Sequence, residues 1–355
     1  MSPSLPTTTA ADAVGLIRSG DRVFVHGAAA TPTPLLDALL AREDLEGVRA
    51  WHLHLNGAGH LGAPGTERRV RSVSLFVGPS LRQAVDEGRA DFVPIFLSDI
   101  PDLFRSGRVP LDVALLQVSP PDRHGYCSLG TSCDAALAAA DAARHLIVEV
   151  NAQMPRTHGA TAIHHSRIHA AIETDRPLPE HPPSTPTPIE QRIGELVAGL
   201  IPDGACLQMG IGAIPDAVLA CLGTKNDLGV HTEMFSDGLL PLLERGVITN
   251  TRKAVHRGRT VTSFVMGTRR LYDTVHDNPQ IEFHPCDRTN DVALIAMNAD
   301  VCAINSALEI DLTGQVCADS LGPRIFSGIG GQMDFIRAAA VSDRKSTRLN
   351  SSHLV

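Results

Sequence analysis

The sequence predicts an α/β protein made of two similar halves, each with a parallel or mixed sheet covered by helices. Three observations predict this fold class. Short apolar strands alternate with helical patterns on both sides of a proline-rich segment, and the order of several motifs is repeated across that segment. The chain of 355 residues is also 43% hydrophobic, which is enough apolar sequence for two packed domains. Strands that alternate with helices are typical of a sheet with both faces covered.

The first half reads as a series of strands with helices between them. The predicted strands are 23–27, 51–56, 73–78, 112–118 and 145–151. The predicted helices are 34–42 and 134–144, of which the second is rich in alanine. We assign these elements to an N-terminal domain of residues 1–176.

A proline-rich segment separates the halves. Residues 177–188 contain six prolines in twelve positions, PLPEHPPSTPTP. Proline fixes φ and lacks an N–H donor, so this composition predicts an extended linker. Apolar residues then recur at helical spacing and predict an amphipathic helix that opens a second domain, residues 189–342. They are Ile189, Ile193, Leu196, Val197 and Leu200.

The second half repeats the alternation of strands and helices. The predicted strands are 205–209, 229–235, 260–266 and 291–298, with helices from Pro215 and over 239–245. Residues 203–222 are similar to residues 21–40, because in both an apolar strand ends at a glycine and a proline follows five residues later. Residues 291–322 are similar to residues 112–130. The preserved order indicates a duplicated α/β unit.

Charge, histidine and cysteine patterns exclude several classes of protein. The net charge of −8 disfavours a nucleic-acid binder, whose affinity depends on clustered lysine and arginine. The seven cysteines form no C-x-x-C pair and the histidines no H-E-x-x-H motif, so we predict no metal site. Neither a membrane span nor a signal peptide is visible, and we therefore expect a cytoplasmic protein.

Residues 57–62 match the pattern G-x-G-x-x-G, but Ala63-Pro64-Gly65 follows them. The dinucleotide-binding motif needs a helix at that point, so the match is weak. Neither a G-x-S-x-G motif nor a Walker A loop is present, which leaves serine hydrolases and P-loop proteins without a starting residue.

Three other segments are candidates for a functional site. One is the strand-to-helix loop of Gln208, Met209, Gly210, Ile211 and Gly212, where glycines allow a ligand to approach the backbone. Glu233 is an acidic residue within an apolar, strand-like stretch. The third is the glycine cluster of residues 327–331, which can direct backbone N–H groups at an oxyanion. Taken singly, each also fits a tight turn, a solvent-facing side chain or a flexible turn.

Four motifs together resemble the acetyl-CoA hydrolase/transferase family, and within it the 4-hydroxybutyrate and acetate CoA-transferases. They are GIGAIPDAVL (210–219), HTEMFSDG (231–238), NSALEIDLTGQV (305–316) and SGIGGQMDF (327–335). The resemblance extends from about residue 10 to Ser342 and includes residues 78–101 and 118–132.

The resemblance implies two CoA-transferase-type domains with the active site in the cleft between them. It implies that Glu233 is the nucleophile and that the reaction passes through a glutamyl-CoA thioester. The CoA site would be lined by Gln208, Met209, Gly210, Ile211, Gly212, Leu308 and Gly331. The substrates would be an acyl-CoA and a short carboxylate such as acetate, butyrate or 4-hydroxybutyrate. No cofactor would be permanently bound, and the protein would be a homodimer or larger homo-oligomer. The alternatives are an acyl-CoA hydrolase that uses the same glutamate, and an inactive CoA-binding fragment.

The C-terminal residues depart from the resemblance. Only three of the 31 basic residues are lysines, at positions 225, 253 and 345, a bias typical of a GC-rich bacterial gene. Residues 345–355, KSTRLNSSHLV, break that bias and lack an apolar period. We therefore expect a C-terminal domain that is incomplete after Ser342, a non-native tail over 343–355, and weak activity in the chain as written.

Overall fold

The computed structural model describes residues 5–57, 59–183, 185–210 and 212–342. It confirms an α/β fold in which both halves contain parallel sheets. In the first half, apolar residues cover both faces of the main sheet, because its central strand positions 113–118 and 146–151 are entirely buried. Runs of this kind are typical of parallel strands that are covered on both faces by helices.

The first half contains ten strands and five α-helices among its described residues. The strands are β1 (Arg22–Val25), β2 (Val48–His52), β3 (Val70–Ser74), β4 (Asp91–Phe92), β5 (Val113–Val118), β6 (Tyr126–Ser128), β7 (His145–Asn151), β8 (His158–Gly159), β9 (Ala162–His164) and β10 (Ala170–Thr174). The helices are α1 (Ala10–Val14), α2 (Thr33–Leu40), α3 (Arg82–Asp86), α4 (Ile100–Arg105) and α5 (Ala136–Ala142). Seven strands form one parallel sheet in the order β10-β7-β5-β1-β2-β3-β4.

The second half is built from shorter strands. They are β11 (Cys206–Met209), β12 (Gly229–Val230), β13 (Met234–Phe235), β14 (Thr260–Thr262), β15 (Phe264–Val265), β16 (Ile281–Phe283), β17 (Val301–Ile304), β18 (Glu309–Ile310), β19 (Val316–Cys317), β20 (Ser320–Leu321) and β21 (Arg324–Ile325). The helices are α6 (Pro188–Leu200), α7 (Ala213–Cys221), α8 (Leu240–Glu244), α9 (Arg269–Val275), α10 (Cys286–Thr289), α11 (Val292–Ala296) and α12 (Gln332–Ser342).

The predicted repeat is visible in the topology. Strand β1 lies between β2 and β5, and β11 lies in the same way between β12 and β17. Each of these two central strands leads through a glycine into a helix, α2 or α7. The sheets are also connected across the halves, because β8 of the first half pairs with β16 of the second.

The predicted strand 291–298 is wrong, because its residues form helix α11. The cause is a local cap: the Asp291 carboxylate accepts hydrogen bonds from the backbone N–H groups of Ala293 and Leu294. The strand that pairs with β11 is instead β17, which follows α11. The sequence similarity between residues 112–118 and 291–297 therefore pairs a strand with a helix.

The predicted strands 51–56 and 73–78 begin and end three or more residues later than the observed strands β2 and β3. The observed strands end at His52 and Ser74. The residues that follow leave the sheet at the carboxyl ends of its strands and line a cavity. Apolar residues that cover a cavity and apolar residues in a buried strand give the same pattern, so the sequence does not separate them.

The predicted linker and helix are present, although the helix buries a different face. Residues 177–183 and 185–187 are neither helix nor strand, and α6 begins with a capping box between Thr187 and Glu190. Gly194 of α6 packs against the backbone of Ala217 in α7. Because this contact rotates the small residues inward, part of the predicted apolar face is exposed, at Ile189, Leu196 and Leu200. No helix among the described residues is long and apolar enough to span a membrane.

Candidate active site

A cavity of about 430 Å³ lies where the two halves meet. The first half contributes residues that follow β2 and β3, and the second half contributes the ends of β11, β13 and β15 together with the glycine cluster. The residues used below are Leu53, His54, Leu55, Asn56, Phe76, Gln208, Met209, Gly210, Glu233, Met234, Phe264, Met266 and residues 327–331. The position agrees with the expectation that ligands bind beyond the carboxyl ends of parallel strands.

The loop after β11 forms one wall of this cavity. Gln208, Met209 and Gly210 line it, and the Gln208 side chain exchanges two hydrogen bonds with the amide of Asn305, at 3.0 and 2.9 Å. Gly212 precedes α7 with φ of 118°, a conformation that favours glycine. Gly212 is absent from the lining, and Ile211 lies outside the described residues.

Glu233 reaches the cavity because the strands around it are interrupted. The predicted strands 229–235 and 260–266 each split into two, with Glu233 and Ser263 at the breaks. The backbone N–H groups of Ser263 and Phe264 both donate to the Glu233 carbonyl, at 2.8 and 3.1 Å. Two residues opposite one form a bulge-like irregularity, which redirects side chains beside functional sites. The half-buried Glu233 side chain is thereby placed on the cavity wall.

The Glu233 carboxylate is held between Asn290 and Gly331. Asn290 Nδ2 donates to Glu233 Oε2 at 3.0 Å. A Cβ atom added at Gly331 would overlap both Glu233 Oε2 and Asn290 Nδ2, so only glycine fits beside the carboxylate. Sequence analysis identified Glu233 and Gly331 and the structure brings them together, but it missed Asn290, which belongs to no recognisable motif.

The glycine cluster is fixed by backbone contacts to the first half. Val77 N–H donates to the Ser327 carbonyl at 2.8 Å, and Leu97 N–H donates to the Gly330 carbonyl at 3.0 Å. The N–H groups of Gly328, Ile329 and Gly331 donate to no acceptor in the described part of the chain. Unused donors on a fixed loop can stabilise a developing oxyanion.

Burial raises the pKa of Glu233 to about 7. The hydrogen bond from Asn290 lowers this pKa, while the nearby carboxylates of Asp334 and Asp134 raise it. A perturbed carboxyl group in a cleft is typical of a functional site.

This raised pKa predicts a pH-dependent effect of Glu233→Gln on stability. The folded protein holds the Glu233 proton up to about pH 7, whereas the unfolded chain releases it near its usual 4.5. Stability is therefore lost as the pH rises through this interval, and the glutamine variant avoids that loss. We expect the variant to melt a few degrees above the wild type at pH 8 and close to it at pH 4. If the two proteins differed in melting temperature by the same amount at both pH values, this would contradict the claim that ionisation of buried Glu233 destabilises the wild type.

Leu308 lies apart from these groups. Its backbone N–H donates to the Cys317 carbonyl at 2.8 Å, just before the hairpin of β18 and β19. The side chain is half-buried and is not among the residues that line the cavity.

A second cluster could in principle hold a metal ion. His256 Nδ1 and His284 Nε2 lie 2.7 and 3.2 Å from Glu282 Oε2. The Arg288 guanidinium contacts His256 Nε2 at 3.3 Å, and Arg259 lies 3.6 Å from the Glu282 carboxylate. These positive charges disfavour a cation, and the cluster is explained as a network of ion pairs and hydrogen bonds. Sequence spacing alone did not reveal it.

Family models match both halves of the chain. The acetyl-CoA hydrolase/transferase N-terminal domain matches residues 6–179, and the C-terminal domain of the same family matches residues 267–352. The second match extends past Ser342. It includes residues 343–352 of the predicted non-native tail, so the expected truncation is not confirmed and stays a prediction. Residues 343–355 lie outside the described residues.

Individual relatives agree with the family models. The chain is 46% identical over 332 residues to the succinyl-CoA:acetate/propanoyl-CoA:succinate CoA transferase of Fasciola hepatica, covering 92% of this chain and 69% of that protein. It is 46% identical over 335 residues to the 4-hydroxybutyrate coenzyme A transferase of Clostridium kluyveri, covering 94% and 78%. The crystal structure of RipA from Yersinia pestis superposes with a TM-score of 0.89 at 38% identity, covering 95% and 79%. The chain is therefore an enzyme of the acetyl-CoA hydrolase/transferase family.

Proposed function

We propose that this enzyme transfers CoA from an acyl-CoA to a short-chain carboxylate and uses Glu233 as the nucleophile. The observation that carries the proposal is the position of the Glu233 carboxylate, in a cavity between the halves and against a glycine loop with unused N–H groups. Acyl-CoA and the carboxylate are the substrates, with no permanently bound cofactor. Relatives that are CoA-transferases for succinate, acetate and 4-hydroxybutyrate support this choice.

Covalent catalysis explains why a carboxylate is the reactive group. Glu233 attacks the thioester carbonyl and expels the CoA thiolate, leaving an acyl-glutamyl anhydride. The thiolate then attacks the glutamyl carbon and expels the acyl group as its free carboxylate, which gives glutamyl-CoA. The incoming carboxylate attacks this thioester, and the released thiolate attacks the acyl carbon of the new anhydride. A new acyl-CoA leaves, and the Glu233 carboxylate is restored without ATP.

Each addition step forms an oxyanion, and two sets of donors are available for it. We assign the unused N–H groups of Gly328, Ile329 and Gly331 to the oxygen of the acyl group. Asn290 Nδ2, at 3.0 Å from Glu233 Oε2, is placed for the oxygen of the glutamyl carbonyl. A fixed donor of this kind contributes about 3 kcal/mol to transition-state stabilisation.

The remaining predicted contacts fit a CoA-binding role to different degrees. Gln208, Met209 and Gly210 line the cavity and are proposed to contact the pantetheine end of CoA. For Ile211, Gly212 and Leu308 the proposal rests on family resemblance. A homodimer or larger homo-oligomer and a cytoplasmic location also stay predictions.

The apolar wall of the cavity favours short aliphatic acyl groups. Phe76, Met234, Phe264 and Met266 line it together with Leu53. Arg82 is the one lysine or arginine among the described lining residues, and it already donates to the Phe326 carbonyl and lies over the Phe326 ring. Arg82 forms no ion pair with a described acidic residue, so its guanidinium is available to pair with a second carboxylate on the acyl group.

Acceptor dependence tests transfer against hydrolysis. We expect acetate to increase the rate at which butyryl-CoA is consumed. The amount of acetyl-CoA formed should equal the amount of butyrate released. Succinate is tested as a second acceptor in the same way. Separation of the CoA thioesters by liquid chromatography measures both products. Free CoA released at the same rate with and without acetate would instead assign the chain as a hydrolase.

A further inference from the structure

Asp334 is a second buried carboxylate close to Glu233, and the reaction described above does not use it. It lies in the first turn of α12 and is 4% exposed. Its Oδ2 atom lies 3.4 Å from Asn290 Nδ2, the same nitrogen that donates to Glu233 Oε2. One amide group therefore bridges two carboxylates.

This bridge determines the orientation of the Asn290 amide. Asn290 Nδ2 is the donor in both contacts, so its two N–H bonds are directed at Glu233 and Asp334. A flipped amide would place its oxygen against two carboxylate oxygens. Asn290 itself is 1% exposed, and its Oδ1 atom has no partner among the described residues, so no other contact holds the amide.

A backbone hydrogen bond holds Asp334 beside the glycine cluster. Its backbone N–H donates to the Gly331 carbonyl at 3.1 Å, which ties it to the loop beside Glu233. Burial raises the pKa of Asp334, and the side chains of Ser98 and Asn290 lower it. Asp334 does not line the cavity.

We propose that Asp334 is a positioning residue, which orients the Asn290 amide toward Glu233. Burial is the main cause of the raised pKa of Glu233, and the charge of Asp334 raises it further. The inference rests on the proposed role of Glu233 as nucleophile. Asp334 touches neither the cavity nor a reacting atom, and it acts through Asn290.

Other charged groups near Glu233 and Asp334 raise or lower the pKa values of these two carboxyl groups. Asp99 raises the pKa of Asp334, and Arg337, one turn along α12, lowers it. Asp134 raises the pKa of Glu233 from the first-half side. Among the described residues, Asn290 is the one group that hydrogen-bonds to both carboxylates, so the connection between them passes through its amide.

Two substitutions separate the charge of Asp334 from its hydrogen bond. Asp334→Asn keeps an acceptor oxygen for Asn290 but removes the charge. The acid limb of the pH profile, where the rate of enzyme–CoA adduct formation rises as Glu233 ionises, should therefore move down by about half a pH unit. Asp334→Ala removes the acceptor and frees the amide. The rate of enzyme–CoA adduct formation should then fall about tenfold, with little change in KM for the acyl-CoA.

The measurement is the pH dependence of adduct formation on Glu233 from acetyl-CoA, followed by mass spectrometry. Asp291→Asn is the matched control, because it removes an exposed charge next to Asn290 while asparagine remains a good helix cap. Its acid limb should stay in place. An unchanged acid limb in Asp334→Asn together with an unchanged rate in Asp334→Ala would overturn the inference and leave the nucleophile intact. Absence of any adduct on Glu233 in the wild type would overturn the proposed function and this inference with it.

Discussion

Replacement of Glu233 by glutamine is expected to lower the kcat of CoA transfer by on the order of 10⁴-fold or more, relative to the same chain with Glu233. Glutamine has the size of glutamate and can accept the hydrogen bond from Asn290, so the cavity keeps its shape. It lacks the anionic oxygen that forms the anhydride. The loss should therefore appear in kcat, with little change in the affinity for acyl-CoA measured by equilibrium binding.

A matched control is Glu282→Gln, on strand β16. Glu282 is also a half-buried glutamate, but it binds His256 and His284 and does not line the cavity. We expect this variant to keep transfer activity within about tenfold of the wild type, because it disturbs only an ion-pair network. Comparable turnover by the Glu233→Gln variant and by this control would show that the nucleophile is another residue.

Replacement of Gly331 by alanine has the second largest expected effect. The added Cβ would overlap Glu233 Oε2 and Asn290 Nδ2, and the backbone here is tied to Asp334 and α12. The carboxylate must then move by about 1 Å, a displacement that costs on the order of 100-fold in rate. Steady-state kinetics of acetate-dependent CoA transfer measure the loss.

Gly199→Ala in helix α6 is the matched control for this change. A Cβ at Gly199 meets no atom within 4 Å, and alanine is the better helix former. This control should be as active as the wild type and equally or more stable. If Gly331→Ala retained full activity with a normal melting temperature, the close packing of glycine against Glu233 would have no catalytic consequence.

The sequence pointed to Glu233 and Gly331 but not to the polar residues that contact them. Glu233 and Gly331 were identified through the resemblance of four ordered motifs to the family, since each feature taken singly also fits a solvent-facing side chain or a flexible turn. Asn290 lies outside the four motifs, and Asp334 lies within SGIGGQMDF but was assigned no role there. Their roles arise only when the folded chain places them beside Glu233.

For the fold as well, sequence pattern predicted some elements correctly, while caps and tertiary contacts determined others. The repeat correctly predicted the two central strands, β1 and β11, since each is a continuous apolar run that ends at a glycine. It failed at residues 291–298, where one capping side chain, Asp291, directs an apolar run into a helix. The apolar spacing of residues 189–200 predicted the buried face of α6 only in part, because Gly194 allows a close contact with α7 that this spacing does not reveal.

The most direct test of the proposed mechanism is to trap the glutamyl-CoA thioester. The protein is incubated with acetyl-CoA, reduced with borohydride, digested and analysed by peptide mass spectrometry. We expect a reduced side chain at Glu233 that requires acetyl-CoA and is absent from the Glu233→Gln variant. An unmodified Glu233 in protein that turns over acetyl-CoA, or the same modification on another residue, would contradict the assignment of Glu233 as the nucleophile.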